Sequence, residues 1–259
     1  MCKLTCKHFK ECGGCALLDL PYTEQVARKR AKLAELLQPF WTAEIPVTLT
    51  DNPVYFRNKV ELGFCHQVKW DPNYNKKDPA NKTRPLVFEQ ALGFKLKGKW
   101  DRAVDIEECF LFNEKLIPLL KAVRAWAAAE GLEYYDQRKH TGVLRHLMVR
   151  EGKNTGEGMV VLFVTNDFNE KTFVAAVESV LPTFNIMSAV NNGLADTAAP
   201  ESLKVLKGQD SFVEKILLTD GAGKTEREVL FKLSPQSFFQ TNTKTAQLYK
   251  CPSPRDSTS

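Results

Sequence analysis

Apolar residues recur at helical spacing in three stretches of the chain. Between Tyr22 and Pro39 they fall on one helical face with basic residues between them, and Pro39 ends the pattern. A second stretch begins at Asn113, a residue type that caps helix N-termini, and runs to Ala129. A third covers residues 168–181. The spacing predicts one amphipathic helix for each stretch.

Between the helices, alternating apolar and polar residues or short apolar runs predict β-strands. The predicted strands are residues 58–66, 91–96, 100–106, 142–150, 158–165, 186–190, 212–218 and 228–233. Antiparallel strand runs with helices between them take the place of a regular strand–helix–strand alternation. We therefore expect an α+β fold with a mixed, mainly antiparallel sheet.

The composition is that of a globular protein. Of 259 residues, 43% are hydrophobic and 26% are charged, which excludes a disordered or fibrous chain. No apolar run approaches the roughly 20 residues that span a bilayer, and the N-terminus lacks the apolar core of a secretion signal. We therefore expect a cytoplasmic, monomeric protein with no membrane partner.

Cysteine spacing gives the first chemical signal. Three cysteines near the N-terminus, Cys6, Cys12 and Cys15, follow the pattern C-x5-C-x2-C, and Cys109 is the best candidate for a fourth ligand. Thiolates favour iron–sulfur clusters or zinc, whereas an odd total of seven cysteines argues against a disulfide framework. Zinc with His8 in place of one cysteine, and a redox dithiol at Cys12 and Cys15, stay open as alternatives.

A basic segment gives the second signal. From Arg57 to Arg102 there are 11 basic and 5 acidic residues, a net charge of +6 against +5 for the whole chain. Cations interleaved with aromatic residues are typical of single-stranded RNA binding, because they combine phosphate contacts with base stacking. The alternative is a solvated loop with aromatic residues in the core. The aromatic residues concerned are Phe64, Trp70, Tyr74, Phe94 and Trp100.

Six segments in the same order resemble the iron–sulfur-cluster-containing RNA uracil-5-methyltransferases. These enzymes use S-adenosylmethionine to make 5-methyluridine in rRNA and tRNA. In their reaction a cysteine thiolate adds to C6 of uracil, C5 takes the methyl group, and a base then removes the C5 proton. The matching segments are residues 6–25, 55–61, 105–109, 141–150, 191–196 and 237–249.

The resemblance implies ligands and contacts at numbered positions. It implies a [4Fe–4S] cluster on Cys6, Cys12, Cys15 and Cys109, and a contact between Gln240 and S-adenosylmethionine. Its RNA partner is 23S rRNA in preference to tRNA. The strands that match family segments carry five further RNA-binding candidates, which are Arg57, Lys59, Arg145, His146 and Arg150.

The resemblance also implies parts that we do not find. The family has a C-terminal Rossmann-like methyltransferase domain with a nucleophilic cysteine and a glutamate base, and we expect that domain to be absent here. We reject Cys251 as the nucleophile because a Pro- and Ser-rich setting does not activate a thiol. The expectation is a catalytically inactive fragment, or alternatively a non-catalytic iron–sulfur or zinc RNA-binding module. We divide it into a cysteine-rich loop, a central domain, a linker and a disordered tail, at residues 1–20, 21–233, 234–250 and 251–259.

Overall fold

A mixed β-sheet of six strands forms the centre of the protein. The structure is a computed structural model that describes residues 4–50, 52–69, 71, 77–79, 86–219 and 225–248. The spatial order is β2-β1-β3-β4-β5-β6, and β4 and β5 form the parallel pair among otherwise antiparallel neighbours. The strands are β1 (Lys59–Val68), β2 (Phe88–Gly93), β3 (Leu144–Glu151), β4 (Gly158–Val164), β5 (Asn185–Val190) and β6 (Ser202–Lys207).

Two helices cover one face of this sheet. They are α2 (Leu116–Ala129) and α3 (Glu170–Glu178), and their apolar faces pack with alternate strand residues such as Leu62 and Leu162 into the main core. The Trp126 indole N–H of α2 donates to the Thr172 hydroxyl of α3 at 3.0 Å. Apolar residues recur every second position in the strands and about every 3.6 positions in the helices. The apolar faces that result pack together into one core.

A two-stranded ribbon packs against part of the opposite face. It consists of β7 (Phe212–Thr219) and β8 (Thr225–Leu233), whose ends contribute Phe212 and Leu233 to a second apolar cluster with Phe163 and its neighbours. A short helix, α4 (Thr243–Ala246), follows the ribbon. The proposed tail at 251–259 lies outside the described residues.

The N-terminal helix α1 (Tyr22–Leu37) differs from the others because it buries no residue. Its apolar side chains Leu33, Leu36 and Leu37 are all exposed.

The three predicted helices are confirmed. Within the described residues, none of the helices has the length and hydrophobicity that crossing a membrane requires.

One predicted strand is wrong, and one strand of the sheet was not predicted. Residues 100–106 form no strand and contribute an isolated bridge between Lys95 and Ala103. Strand β6 was missed because it lies at the edge of the sheet and its apolar side chains Leu203 and Val205 stay exposed. No side chain of β6 is buried, so no strong alternation of apolar and polar residues marks this strand.

Candidate metal centre and nucleic-acid interface

Four cysteines that are far apart in the sequence line one small pocket. Cys6, Cys12 and Cys15 come from the N-terminal loop, and Cys109 comes from the segment that precedes α2. The structure therefore brings together the four residues that the resemblance implies as ligands. The rest of the wall is mostly apolar and includes Leu18, Phe94, Ile106, Phe110 and Leu111.

Backbone hydrogen bonds hold the two parts of this cysteine pocket together. The Gly13 N–H donates to the Lys95 carbonyl at 3.0 Å, and the Lys7 N–H donates to the Glu108 carboxylate at 2.9 Å. A Cβ on Gly13 would lie 3.1 Å from the Lys95 oxygen, which is tighter than an ordinary contact. The glycine pair between Cys12 and Cys15 thus lets the loop lie close to its neighbour.

The four cysteines are half-buried, and backbone N–H groups favour the ionised form of two of them. Burial raises the pKa of all four, and that of Cys15 to about 11. Against this, the Gly14 N–H donates to Cys12 Sγ and the Leu111 N–H donates to Cys109 Sγ, both at 3.4 Å. Amide donors stabilise thiolates, the form that binds a metal, and tune the potential of iron–sulfur clusters.

Arg57, a predicted RNA contact, lies beside the cysteine pocket. Burial raises the pKa of Cys12, Cys15 and Cys109, and the positive charge of Arg57 partly opposes that rise. The side chain is half-buried, and it forms no hydrogen bond or ion pair within the described part of the chain. The guanidinium is therefore available to an anionic group.

The alternative ligand His8 has another role. The Glu107 N–H donates to His8 Nε2 at 3.0 Å, so this nitrogen is occupied by the backbone of the segment before Cys109. Burial lowers the pKa of His8, which keeps the ring neutral and able to accept that bond. Among the described residues, no three His, Cys, Asp or Glu side chains are arranged to hold a single metal ion.

Cys65 is separate from the pocket. It is fully buried on β1, and burial raises its pKa to about 11 although the Lys95 ammonium lies 3.7 Å from Sγ. A buried neutral thiol is unreactive. Cys2 and Cys251 lie outside the described residues.

Arg145, also predicted to contact RNA, is fully buried on β3. Its guanidinium donates to the backbone carbonyls of Asn191 (3.0 Å), Gly193 (2.5 Å) and Ala195 (3.0 Å), and it lies 4.3 Å from the centre of the Tyr135 ring. These bonds fix the loop after β5. The strand pattern had placed Arg145 on a surface, whereas the loop covers it.

Arg150 and His146 are buried on the same strand. Arg150 donates to the Ser234 carbonyl at 2.5 Å, where the predicted linker begins. His146 Nε2 lies 3.5 Å from the Asp196 carboxylate, which also pairs with Lys95 at 2.7 Å. Burial lowers the His146 pKa to about 4. Both side chains thus lie against protein groups, although Arg150 Nε and His146 Nε2 are buried without a hydrogen-bond partner.

The remaining predicted contacts are more open. Lys59 is half-buried and pairs with Glu61 at 2.5 Å. Gln240 has an exposed side chain, and its backbone carbonyl accepts a bond from the Asn58 side chain at 2.6 Å. This bond fixes the position of Gln240 while its amide group faces solvent.

The sequence analysis missed a buried carboxylate, Glu214. It accepts the N–H groups of Lys153 (2.7 Å) and Asn154 (3.1 Å) and the hydroxyl of Thr243 (3.1 Å). Asn58 also donates to Thr243, at 2.9 Å. This network joins α4 to the sheet. In the sequence, Glu214 has the ordinary pattern of a solvent-facing strand residue, so nothing marked it as buried.

Comparisons with known proteins add the evolutionary context. No protein-family model matches the sequence. An uncharacterized RNA methyltransferase of Bacteroides thetaiotaomicron is 28% identical over 256 residues, which are 95% of this chain and 53% of that protein. One from Clostridium acetobutylicum is 30% identical over 253 residues, with 93% and 49% covered. The chain is similar to RNA methyltransferases. It spans about half the length of these curated relatives.

A solved structure has the same fold. It is the Pyrococcus abyssi tRNA (uracil-54, C5)-methyltransferase in complex with S-adenosyl-L-homocysteine, with a TM-score of 0.66 and 24% identity. The match covers 92% of this chain and 48% of that one. This finding corrects the fold expectation. The expectation that a methyltransferase fold is absent here was wrong. The mixed sheet and its helices match the fold of a tRNA methyltransferase over 92% of this chain.

Proposed function

We propose that the protein is an RNA methyltransferase that acts on C5 of uridine with S-adenosylmethionine as methyl donor. The observation that carries this proposal is similarity to RNA methyltransferases over more than nine-tenths of the chain. Two others support it: the fold shared with a tRNA uracil-C5 methyltransferase bound to S-adenosyl-L-homocysteine, and the six segments that resemble the uracil-5 enzymes.

We also propose that Cys6, Cys12, Cys15 and Cys109 hold a [4Fe–4S] cluster. Their thiols share one pocket, amide groups donate to two of the sulfurs, and Arg57 offsets the negative charge of ligating thiolates. Ligands of a cluster lie farther apart than ligands of one metal ion. This suits the four cysteines, which line one pocket although no three of the described His, Cys, Asp or Glu side chains are arranged around a single ion. Such a cluster would join the N-terminal loop to the segment before α2.

The chemistry further requires a thiolate that adds to C6 of uracil. Besides the four proposed ligands, the described part of the chain contains Cys65. Its thiol is buried and neutral, so it is unsuited to act as the nucleophile. We therefore assign no nucleophile among the described residues. Gln240, exposed and held by its backbone, is the proposed contact to S-adenosylmethionine.

RNA is the proposed partner, in the form of rRNA or tRNA. Arg57 and Lys59 remain the proposed contacts to phosphate, because both are accessible at the start of β1. We do not carry forward Arg145 and Arg150 as direct contacts, because their guanidinium groups are buried against backbone carbonyls. They would instead shape the surface that meets RNA.

A methyl-transfer assay tests the function. The protein, purified without oxygen, is incubated with unmodified rRNA and tRNA transcripts and S-adenosylmethionine labelled on its methyl group. Digestion and mass spectrometry of the nucleosides should show labelled 5-methyluridine. Label on another base or ribose would contradict the uracil-C5 assignment. RNA binding with no transfer to either RNA would favour a non-catalytic iron–sulfur or zinc RNA-binding module.

Metal analysis tests the cluster separately. The anaerobic protein should be brown and contain about four irons and four sulfides per chain. Colourless protein with one zinc would contradict the cluster and leave the methyltransferase proposal standing.

A further inference from the structure

A second pocket, of about 720 Å³, lies next to the cysteine pocket. It is bordered by α1, the N-terminal loop, the segment before β1 and α4, and Cys15 lines both pockets. Its volume falls in the range of sites that hold small organic ligands, roughly 300–1,000 Å³. We call it the α1 pocket.

Specific hydrogen bonds build the frame of the α1 pocket. The Thr50 N–H donates to the Tyr22 hydroxyl at 3.2 Å, and the Arg30 guanidinium donates to the Ile45 carbonyl at 3.1 Å. These bonds tie α1 to the segment before β1. Although α1 buries no residue, its position is thus fixed by bonds to that segment.

The walls combine an apolar surface with two cationic side chains, of which Arg57 is half-buried and Lys29 is exposed. Leu20, Phe56 and Phe110 contribute apolar surface. The cations Arg57 and Lys29 also line the pocket. Within the part of the chain that the structure describes, neither forms a hydrogen bond or ion pair through its side chain.

Thr245 supplies an orphan group. Its Oγ1 is buried and has no hydrogen-bond partner, and the residue lines the α1 pocket from α4. A buried hydroxyl without a partner costs free energy and needs an explanation. Of the five such side-chain atoms among the described residues, Thr245 Oγ1 is the one whose residue lines the α1 pocket. Free cations, an apolar wall and an orphan hydroxyl together describe an anionic ligand with a flat apolar body.

We propose that the α1 pocket binds one nucleotide of single-stranded RNA. The phosphate lies at Arg57 and Lys29, the base lies on the apolar wall, and Thr245 Oγ1 bonds to the sugar or base. Two features favour a nucleotide within a strand. Arg57 begins the basic segment of net charge +6, and the rim is exposed at Thr48 and Asn52, where a strand can leave the pocket. This inference rests on RNA being the partner of the proposed function.

Anisotropy of a fluorescein-labelled single-stranded tetranucleotide, at fixed low salt and without oxygen, tests the proposal. Thr245→Val removes a hydroxyl that has no partner in the free protein, so stability should be unchanged while Kd rises about 5-fold. Arg57→Gln should raise Kd about 10-fold or more, and Arg57→Lys less, because lysine keeps the charge but loses the planar fork. Lys29→Gln should raise it about 3-fold.

Lys32→Gln is the matched control, because Lys32 lies on the same helix but does not line the pocket. Its Kd should stay within about 1.5-fold of wild type. Iron content is measured for every variant. If Arg57→Gln contains less iron than wild type, the Kd values of Thr245→Val and Lys29→Gln decide the outcome. Equal Kd for wild type and the pocket variants overturns the α1 pocket but leaves RNA as partner. No binding by wild type overturns both. Uridine monophosphate that binds as tightly as the tetranucleotide shows a site for free nucleotides and overturns the RNA assignment.

Discussion

The cysteine pocket and the loop around Arg145 both contain polar groups removed from water, but they resolve the cost of burial differently. Around Arg145, the two terminal nitrogens of the guanidinium donate to atoms of the loop after β5. In the cysteine pocket, four cysteines line one wall, and backbone N–H groups donate to two of their sulfurs. The first region satisfies most of its polar groups from within the chain, although Arg145 Nε and His146 Nε2 are buried without a hydrogen-bond partner, whereas the second has the chemistry of a site that awaits a bound group.

Arg57 and Arg145 show the same difference within one residue type. Both lie in segments that resemble the uracil-5 methyltransferases, and both were predicted to contact RNA. Arg145 is fully buried and bonded to three carbonyls, while Arg57 is half-buried with no bonded partner among the described residues. An arginine that has internal acceptors stabilises the fold, and one that lacks them is available to a ligand. The variants below test this distinction.

Cys109→Ser should give the largest effect. A serine hydroxyl does not replace a thiolate on an iron–sulfur cluster, so iron should fall from about four per chain to below about one. Binding free energy of a metal group is also folding free energy, so the variant should unfold at lower temperature than the loaded wild type. Iron analysis and thermal unfolding monitored by circular dichroism measure both.

Cys65→Ser is the control for this prediction. Cys65 is buried outside the pocket, so its replacement should lower stability and leave iron unchanged. Equal iron in wild type and Cys109→Ser would remove Cys109 from the ligand set and with it the contrast between the two regions.

Arg145→Met should destabilise the protein by about 4 kcal/mol, because it leaves buried carbonyls without donors. Arg57→Met should change the free energy of unfolding of the iron-free protein by only about 0.5 kcal/mol, since no bond is lost. Urea unfolding of both iron-free variants gives the two numbers. A cost for Arg57→Met as large as that for Arg145→Met would show that the two arginines have the same structural role.

The sequence predicted connectivity better than burial. Cysteine spacing and the family resemblance identified Cys6 and Cys109 as partners across about a hundred residues, and the structure lines one pocket with both. Alternation along a strand shows which side chains share a face, but it does not show whether a distant loop covers that face. For this reason Arg145 was placed at a surface and Glu214 was overlooked. Both outcomes depend on long-range packing, by the loop after β5 and by α4.

His146 makes the Arg145 region sensitive to pH. Burial, and then the charges of Lys95 and Arg145, lower its pKa to about 4, whereas Asp196 and Glu61 act in the opposite direction. The unfolded chain binds a proton near pH 6.5 and the folded chain does not until about pH 4, so stability should fall as pH drops through that window. The loss at pH 4 is roughly 3 kcal/mol.

Urea unfolding of wild type and His146→Gln at pH 7.5, 5.5 and 4.5 measures this term. Glutamine does not titrate, so the variant should lose less stability on acidification than wild type does. Parallel losses in the two proteins would mean that carboxylates elsewhere cause the whole effect, and the Arg145 region would then lack its own pH response.

The smallest expected effect comes from replacing one glycine in each of the two regions, Gly14 in the cysteine loop and Gly193 in the loop after β5. A Cβ on Gly14 would lie 3.1 Å from Leu111 Cδ1 and 3.4 Å from Cys12 Sγ, whereas a Cβ on Gly193 would lie 3.5 Å from its nearest neighbour, Asn191 Oδ1. Gly14→Ala should therefore cost about 1 kcal/mol and lower the iron content, because Leu111 in the pocket wall must move by a few tenths of an ångström. Gly193→Ala should be neutral or slightly stabilising, since alanine restricts the unfolded chain without a clash. Urea unfolding and iron analysis of both variants measure these effects. A larger loss of stability for Gly193→Ala than for Gly14→Ala would show that the Arg145 loop is the more closely packed of the two.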